Sequence, residues 1–570
     1  MEMSEQSNFT NRANPTRPDT HPRNQLVPRP QAIVVPRRHG TILVEPSPAN
    51  LVDFLTTPHQ GRTLAAETVE VSGIALSTLA DLARRECMDA MARFARETGF
   101  DGPPADAVKR PWIITGHQVE FYHPGVWAKV ILTDTLARRC NGLAIDLLVD
   151  HDTVEHLGFA IPYWSGARLE KRMVQWAATS NLPAEFLLAP QGDQKQHWLE
   201  EIEQFPLAAS DSMRDFIESW RMDSQLEYVP WMSRARRRFE QAHRIHVHHV
   251  PCGYLCSGVA WHSFVLAWIR NARIWCDSYN AALDQYRLER GITKPGRPMP
   301  DLAIARHEIE LPFWIYGDHQ PRQRLVLNEN NGLYLTCGTH RIDVADIMTG
   351  NLVAAGETLR QRLDAADLRV RPRALTLTMF TRLLLSDLFI HGIGGALYDQ
   401  MTDQIMEQLF RACPAYACAS AGWLLPVAAQ IDQGQTDTAD TFALKWQRHH
   451  LRCNPELLVP AAQLTGVAMD LARQRRELIG RIAQSLAADR QEHRRRSSRW
   501  LQRRGDFRQL HDINRLLLAR FAAQTDALDA QVAEAESVRE NLLVAAWREY
   551  FLAMHPRESL ESLIRAIHST

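Results

Sequence analysis

The residues between positions 115 and 129 have the types and the spacing to bind an anion. They combine glycines with hydroxyl, amide, imidazole and ammonium groups: Thr115, Gly116, His117, Gln118, His123, Gly125 and Lys129. A glycine directly after a strand lets backbone amides approach an anion, and a helix start adds free N–H groups and a positive dipole end. We therefore expect phosphate to bind here, with His117, His123 and Lys129 stabilising its charge. The alternative is that the glycines shape turns and the histidines are surface loop residues.

A second segment crowds five ionisable groups into the seven positions from 150 to 156. They are carboxylates and imidazoles, namely Asp150, His151, Asp152, Glu155 and His156. Such crowding shifts pKa values and favours substrate binding, acid–base catalysis or metal coordination. Aspartate and histidine side chains also cap helices and accept backbone hydrogen bonds at strand–helix turns. A catalytic or substrate-binding role, structural capping and a bound metal are therefore three open interpretations of this segment.

A third segment, residues 386–399, places three glycines within four positions after an apolar run. The residues that could face a ligand are His391, Gly392, Gly394, Gly395, Tyr398 and Asp399. Because glycines permit a close approach to the backbone, the segment predicts a second wall of the same cleft. The alternative is a tight glycine turn followed by acids on a helix surface.

Strand and helix patterns place these segments at one edge of a sheet. An apolar burst at 112–114 precedes the first segment, helical spacing begins near Val126, and a second burst at 144–149 ends at Asp150. This order predicts a parallel β-α-β unit of an α/β fold, in which ligands bind at the carboxyl ends of the strands. We therefore expect His117, Asp152 and His391 to line one cleft.

Composition narrows the class of protein. The chain has 570 residues, a formal net charge of -1 and nine cysteines. Its length suits about two to four domains, and it lacks a run of about 18 apolar residues that could span a bilayer. The polar start does not resemble a secretory signal, and the scattered cysteines suit reduced thiols. These features predict a cytoplasmic protein with no membrane partner, and its near-zero net charge gives no global attraction to nucleic acid.

The sequence divides into three regions. Residues 1–45 predict a flexible arm, residues 46–465 the α/β core with insertions, and residues 466–570 a region of long helices. Within the core, a helix is expected around 261–286 and a strand with a following loop over 374–395. In the last region, apolar stripes such as Leu478-Ile482-Leu486 flank an expected reversal at 503–506. An antiparallel helical coiled coil is therefore predicted there.

Residues 243–262 raise the question of a zinc site. Their histidines and cysteines are His243, His246, His248, His249, Cys252, Cys256 and His262. The pair Cys252 and Cys256 lacks a matching second pair at finger-like spacing. The alternation of His246 and His248 is typical of one face of a strand. We therefore favour structural roles for these residues and predict no metal.

The motifs above occur in the same order as in a known family, the BshC cysteine ligases of bacillithiol biosynthesis. The chain resembles a divergent member over about residues 70–565, and the matching positions are Thr115, Gly116, Gln118, Lys129, Asp150, His151, Asp152 and Gly392. His117 stands where the family has glutamine, residues 123–126 replace its Gly-Pro-Leu-Tyr helix start, and its loop glutamate has no clear counterpart near Gly395. The resemblance implies a Rossmann-like core with inserted connecting segments and a coiled coil that forms a homodimer.

The resemblance also implies a reaction, the nucleotide-dependent condensation of a cysteine-like amino acid with a small amine metabolite. ATP or ADP would be the cofactor, with Mg²⁺ as a further candidate. The expected cofactor-binding residues are Thr115, Gly116, Gln118, His123, Gly125, Lys129, Gly392, Gly394 and Gly395. The expected catalytic residues are His117, His151, Asp152 and His391, and the expected substrate-binding residues are Asp150, Glu155, Tyr398 and Asp399.

Two functions of other classes stay open. A metal-dependent hydrolase in the same cleft would use His151, Asp152, Glu155 and His391. A non-catalytic scaffold would bind nucleic acid through the basic tip of the helical hairpin, at Arg490, Arg494, Arg495, Arg496, Arg499, Arg503, Arg504 and Arg508. Because charge runs on long helices are usually solvated faces, we favour the ligase.

Overall fold

The computed structural model describes residues 28–30, 33–57, 69–294, 296, 299–433, 441–454, 464–491 and 499–570. The chain forms two compact units. The first comprises Met1–Ile161, Met173–Trp423 and Arg548–Thr570, and the second comprises Pro162–Arg172 and Leu424–Trp547.

The strands form two larger sheets and two hairpins. In chain order they are β1 (Thr41–Glu45), β2 (Glu70–Val71), β3 (Ile74–Ala75), β4 (Trp112–Gln118), β5 (Leu143–Val149), β6 (Gly158–Ser165), β7 (Arg168–Gln175), β8 (His248–Pro251), β9 (Glu308–Gly317), β10 (Gln323–Asn328), β11 (Tyr334–Cys337), β12 (His340–Asp343), β13 (Leu368–Pro372), β14 (Leu388–His391) and β15 (Tyr416–Gly422).

Helices make up much of both units. In the first unit they are α1 (Pro48–Thr56), α2 (Leu76–Thr98), α3 (Pro124–Arg139), α4 (Gly192–Glu203), α5 (Asp211–Met222), α6 (Tyr228–Ala242), α7 (Cys252–Leu255), α8 (Val259–Arg270), α9 (Ala272–Arg290), α10 (Leu352–Ala365), α11 (Ala374–Phe380) and α12 (Ile393–Phe410). In the second unit they are α13 (Pro426–Gln433), α14 (Thr441–Cys453), α15 (Val467–Gln491), α16 (Arg499–Arg520) and α17 (Ala522–Ala545), and α18 (Arg557–Ser569) returns to the first unit.

The larger sheet has the strand order β1-β15-β14-β4-β5-β8. Its neighbouring strands are parallel except at the edge, where β1 pairs antiparallel with β15. Trp112, Ile113 and Ile114 of β4 are fully buried, as expected for a parallel strand that is covered on both faces. Because α3 connects β4 to β5, the predicted parallel β-α-β unit is confirmed. Residues 41–45 form strand β1 and not part of a flexible arm.

The boundaries of two site segments differ from the sequence predictions. β4 continues to Gln118 and pairs with β5 as far as Val149, so residues 115–118 are strand and not loop. Residues 374–385 are helical, and the predicted strand is confined to Leu388–His391. The glycine segment is the first turn of α12, with Gly392 as its N-cap residue. In both places the pairing and packing of neighbouring elements outweigh the tendency of glycine to form turns.

A second sheet has the order β12-β11-β10-β9-β13 and is antiparallel throughout. The sequence predicts only an insertion in the α/β core over this region, because each of its strands gives a short apolar signal that does not reveal its partners. The helix expected over 261–286 is two helices, α8 and α9, which meet at Asn271.

The second unit contains an antiparallel helix pair. Arg475 of α15 donates to Asn514 of α16, and the ion pairs Arg481–Asp506 and Arg503–Asp489 follow in reverse order along α16. The reversal predicted at 503–506 is wrong, because these residues lie within α16. Residues 492–498, which join α15 to α16 and include Arg494, Arg495 and Arg496, lie outside the described residues, as do residues 1–27 of the predicted arm.

No helix in the described ranges is both long enough and apolar enough to cross a membrane. All nine cysteines are unpaired, as the sequence predicts.

Candidate functional site

A cleft opens at the carboxyl ends of β4 and β14, which are neighbours in the larger sheet. The chain leaves β4 through α3 toward β5 on one side, whereas β14 lies on the other side of β4 and continues into α12. Open α/β sheets bind ligands at such a reversal of strand order. The cleft, which we call the switch-point cleft, has a volume of about 490 Å³. It is lined by Val35, Gly116, His117, His123, Gly125, Val126, Lys129, His391, Gly392, Ile393, Gly394, Gly395, Ser420, Arg548 and Glu549.

Lys129, in the second turn of α3, brings a buried cation to this cleft. The residue is 4% exposed, and its Nζ donates to the carbonyl oxygen of Gly116 at 2.7 Å. Within the described residues this is the one acceptor at hydrogen-bond distance from the ammonium group. Burial lowers the pKa of Lys129 to about 8, and Arg236 acts in the same direction while Asp146 opposes it. At neutral pH the group is therefore mostly charged and retains donors for an anionic ligand.

His117 and His123 line the cleft as neutral imidazoles. The amide N–H of Gly125 donates to Nδ1 of His123 at 3.0 Å, so the ring proton of the neutral form lies on Nε2. Burial, and then the charge of Arg548, hold the pKa of His123 well below its usual range. Burial, and then the charge of Lys129, lower the pKa of His117 to about 3. His123 therefore offers Nε2–H as a donor, whereas His117 donates Nδ1–H to the carbonyl oxygen of Gln118 at 3.1 Å and offers Nε2 as an acceptor. The expected stabilisation of phosphate by histidine charge does not apply.

His391 closes the other side of the cleft and is held by a buried carboxylate. Its Nε2 lies 2.8 Å from Oδ2 of Asp399. Burial alone would raise the pKa of Asp399, but the charge of Arg382 and the hydrogen bond from His391 hold it below its usual value. Because an ionised carboxylate only accepts, Nε2–H of His391 donates to it, which leaves the lone pair on Nδ1. Nδ1 is free to act as a base because the carboxylate fixes the tautomer of the ring.

The two helices that begin at the cleft differ in how their first amides are satisfied. His123 caps α3 by accepting from Gly125, whereas α12 has no side-chain cap. The amides of Gly394 and Gly395 have no acceptor among the described residues. A Cβ atom at Gly394 would meet nothing within 4 Å, and one at Gly395 would lie 2.7 Å from Nδ1 of His391. The start of α12 therefore offers exposed amide donors and a positive dipole end beside Lys129.

The residues that complete the cleft from β15 and from the start of the C-terminal segment were not predicted from the sequence. Arg548 donates to Oγ of Ser420 at 2.8 Å, while its buried Nε has no partner in the described parts of the chain. Glu549 is the acidic residue among those that line the cleft. The small-residue strand β15, which contains Ser420 near its carboxyl end, gives the same strand-end signal as β4 and could have been found. No signal links Arg548 to a strand more than a hundred residues away.

Two predicted phosphate ligands on β4 face structural partners. Thr115 is fully buried and its hydroxyl donates to the carbonyl oxygen of Ile390 at 2.8 Å, which ties β4 to β14. Gln118 donates to the carboxylate of Asp152. A Cβ atom at Gly116 would lie 3.0 Å from that of Leu147, so this glycine allows close strand packing and contributes its carbonyl, not an anion-binding amide, to the cleft. Neither Thr115 nor Gln118 lines the cleft.

The segment after β5, residues 150–156, which we call the β5 turn, lies outside the switch-point cleft. Asp152 does not line the cleft with His117 and His391, because Gln118 and Arg322 hold its carboxylate. Asp150 is buried and accepts from the amide of Gly253 at 2.9 Å. Burial raises the pKa of Asp150. These contacts agree with structural capping, one of the three interpretations of this segment.

The remaining predicted site residues lie in different surroundings. Glu155 is exposed, and its amide donates to Oε1 of Glu120 at 3.0 Å. His156 is exposed. Tyr398 is 41% exposed and does not line the cleft. Asp399 is buried against Arg382 and His391, so it positions His391 and is not available to a substrate. Asp152, Glu155 and His391 therefore do not form the metal-ligand group that the hydrolase alternative needs.

The histidines of residues 243–262 do not assemble a zinc finger in the described parts of the chain. His249 is buried between Ser233 and Glu240, at 2.8 Å and 3.2 Å, and His243 bonds to the carbonyl oxygen of Phe239 at 2.9 Å. β8 begins at His248, so His246 precedes the strand on which its alternation was expected.

No family model matches the chain, and no curated protein matches it significantly.

Proposed function

We propose that the chain is an enzyme that binds the phosphate groups of a nucleotide in the switch-point cleft. The observation that carries this proposal is the convergence of unused donors on one volume: the remaining N–H groups of the Lys129 ammonium, the free amides at the start of α12 and Nε of Arg548. The other two guanidinium nitrogens of Arg548 donate to Ser420 and to the carbonyl oxygen of Pro36. Charged hydrogen bonds of this kind are short and strong, and a helix start adds its dipole. The lining contains two cations, Lys129 and Arg548, and one acid, Glu549, so the cleft favours an anion.

The reaction that suits this arrangement is carbon–nitrogen bond formation, in which a cysteine-like amino acid is joined to a small amine. ATP supplies the activation of the carboxyl group. His391 would accept the proton that the attacking amine loses, because Asp399 fixes its tautomer and leaves Nδ1 unprotonated. Lys129 and the amides of α12 would stabilise negative charge on the departing phosphate. His117 and His123 would orient the reacting groups as neutral hydrogen-bond partners.

A Rossmann-like relation to the cysteine ligases agrees with the order of β4, α3, β5 and β14, and it remains part of this proposal. The cleft lining offers a single carboxylate, Glu549, as a ligand for a metal ion. A Mg²⁺ ion would therefore be held mainly by phosphate oxygens and water, as is usual in phosphate sites. The hydrolase alternative lacks its ligand group, and two arginines of the scaffold alternative, Arg499 and Arg503, are engaged by Asp489.

A cytoplasmic homodimer, assembled through the helical second unit, is the second part of the proposal. That unit exposes several large apolar side chains that a partner copy would cover, including Phe442, Trp446, Trp500, Leu501 and Leu543. Light scattering tests this: we expect a dimer at micromolar concentration and a monomer in the double variant Trp500→Ser and Leu501→Ser. These substitutions leave the first unit intact, whereas truncation at Thr465 would also remove its residues 548–570. A monomeric full-length chain would contradict the proposal, and an unchanged dimer in the double variant would show that other surfaces form the interface.

The nucleotide part is tested by calorimetry with ATP and ADP. Gly394→Val should weaken binding by roughly 10-fold or more, because the added side chain projects into open space in the cleft and blocks the α12 amides. Gly480→Val is the matched control, because Gly480 is also a helical glycine with nothing within 4 Å of an added Cβ. A folded wild-type protein with no affinity at millimolar nucleotide would contradict the proposal.

The ligase part is tested by incubating the protein with ATP, cysteine and a panel of primary amines. We expect formation of an amide, followed by mass spectrometry, together with release of AMP or ADP. Nucleotide binding without amide formation on any amine of the panel would retain the binding site and reject the reaction.

A further inference from the structure

A second group of chemically reactive side chains lies at the ends of β5 and β8. Asp150 and His151 directly follow β5, and Cys252 directly follows β8 as the first residue of α7. These strands are parallel neighbours, with Leu148 opposite Pro251. Asp150, His151 and Cys252 are 3%, 4% and 0% exposed, and one potential ligand atom of each lies within 4.8 Å of the others.

Two of these three side chains, His151 and Cys252, have polar atoms that no hydrogen bond from a described residue satisfies. Nδ1 of His151 is buried and has no partner within the described residues. The nearest oxygen of Asp150 lies 3.9 Å away, which is beyond a hydrogen bond. The thiol of Cys252 has no hydrogen bond to any described residue either. A buried imidazole nitrogen without a partner is costly, and a bound ion would supply the missing partner.

We propose that Asp150, His151 and Cys252 bind a zinc ion. Thiolate, imidazole and carboxylate are the ligands that Zn²⁺ uses in proteins, and sulfur selects zinc over Mg²⁺ or Ca²⁺. Three protein ligands leave the fourth tetrahedral position for water, as in catalytic zinc sites. Binding replaces the proton of the Cys252 thiol by a metal–sulfur bond, and the proton passes to solvent.

The charges around the group permit an ion there. Zn²⁺ with one thiolate, one carboxylate and one neutral imidazole has no net charge, so the buried complex avoids an excess charge in a low-dielectric interior. The nearby cation, Arg371, is already matched by Glu185, with distances of 2.9 Å and 3.2 Å to its two carboxylate oxygens. Because Glu185 neutralises its charge, Arg371 does not compete with a metal ion for the ligands of this site.

Close packing brings the two strand ends together at this point. A Cβ atom at Gly253 would lie 2.8 Å from Oδ2 of Asp150, and the amide of Gly253 already holds Oδ1. The glycine therefore lets the first turn of α7 carry Cys252 up to the carboxylate. The zinc ion would tie β5 to β8 at this edge. The site is separate from the switch-point cleft and does not depend on the proposed ligase function.

Elemental analysis tests the proposal on full-length protein purified without a metal-affinity step. We expect about one zinc ion per chain after dialysis, the stoichiometry of a single three-ligand site. Cys252→Ser and His151→Asn should each lose it. Cys256→Ser is the matched control, because Cys256 is a buried thiol one turn further along that does not belong to the group, and it should retain the metal.

A second measurement keeps the test decisive if a variant fails to fold. Cobalt added to metal-free wild-type protein should give the charge-transfer absorption of a cobalt–thiolate bond, and the Cys256→Ser variant should give the same band. Zinc-free wild-type protein with no such band at micromolar cobalt would overturn the proposal. Retention of the band in folded Cys252→Ser would overturn it as well.

Discussion

The switch-point cleft and the β5 turn are both polar, both follow parallel strands, and both lie at the edge where α/β sheets bind ligands. They differ in how far their side chains are satisfied. Lys129 uses one of its donors, and the start of α12 uses none of its first amides. In the β5 turn, Asp152 is held by Gln118 and Arg322, and Asp150 by Gly253. Unused ammonium and amide donors, and not polarity at a strand end, therefore distinguish a candidate anion site from the β5 turn, where Nδ1 of His151 is left for the proposed zinc ion.

The difference extends to charge. The cleft has two cations, Lys129 and Arg548, against one lining acid, Glu549. Around the β5 turn, cations and carboxylates are matched, as in Arg371 with Glu185 and Arg322 with Asp152. An anion entering the cleft gains charge compensation, whereas one near the β5 turn would have to displace an existing partner.

The largest expected effect is a loss of stability on breaking the buried ion pair that supports one wall of the cleft. Arg382→Met should lower the free energy of unfolding by about 3–5 kcal/mol, because it leaves Asp399 buried without its cation. Urea denaturation measures this. The control is Arg362→Met, which breaks an ion pair with the 64% exposed side chain of Asp346 and should change stability by less than about 1 kcal/mol. Equal losses of stability in the two variants would show that the cleft wall that contains His391 does not depend on the pair of Arg382 with Asp399.

Lys129→Gln should weaken ATP and ADP binding by roughly 10- to 100-fold, since a hydrogen bond to a charged group contributes about 1.5–3 kcal/mol. Calorimetry at neutral pH provides the measurement. Lys109→Gln is the matched control, because Lys109 is an exposed lysine that does not line the cleft. If Lys129→Gln bound nucleotide as tightly as this control, the cleft would not owe its anion affinity to Lys129.

Nucleotide affinity should also depend on pH. Because the pKa of Lys129 is lowered to about 8, its charge is present below that pH and lost above it, so affinity should fall as the pH rises from 7 to about 9. His117, with a pKa lowered to about 3, stays neutral and adds no step between pH 6 and 7. In Lys129→Gln the fall should disappear. A wild-type nucleotide affinity that rises from pH 7 to about 9 would contradict the assignment of Lys129 as the cation that binds the phosphate groups.

The smallest expected changes in nucleotide affinity and stability follow from a substitution in the β5 turn. Asp152→Asn should change nucleotide affinity less than about two-fold and stability by no more than about 1 kcal/mol, because its ion pair with Arg322 is partly exposed. Calorimetry and urea denaturation again apply. A loss as large as that of Lys129→Gln would remove the distinction between the two regions.

Much of the fold around the cleft could be predicted from the sequence. The buried parallel strands β4 and β5 are continuous apolar runs, and α3 shows helical spacing between them, so the β-α-β unit followed from local pattern. The cleft walls at His117 and His391 followed from polar residues at strand ends, and that at Lys129 from its place near the start of the following helix. Their neighbourhood was predictable because the carboxyl ends of parallel strands share one edge of the sheet.

Other features depend on contacts that no local pattern shows. Arg548 reaches the cleft from the far end of the chain, and the second sheet forms from short strands whose pairing is set by tertiary structure. The role of Asp152 was not predictable because its partner Arg322 lies 170 positions away. Residue type shows which side chains could act, whereas burial and partners determine which remain free to do so.

Hydrogen–deuterium exchange with and without ADP shows which of the two regions binds the anion, because it compares both in one unmodified protein. We predict that ADP slows exchange at the free first amides of α12, residues 393–395, and leaves residues 150–156 unchanged. Protection of residues 150–156 with no change at 393–395 would show instead that the anion binds at the β5 turn and not in the switch-point cleft.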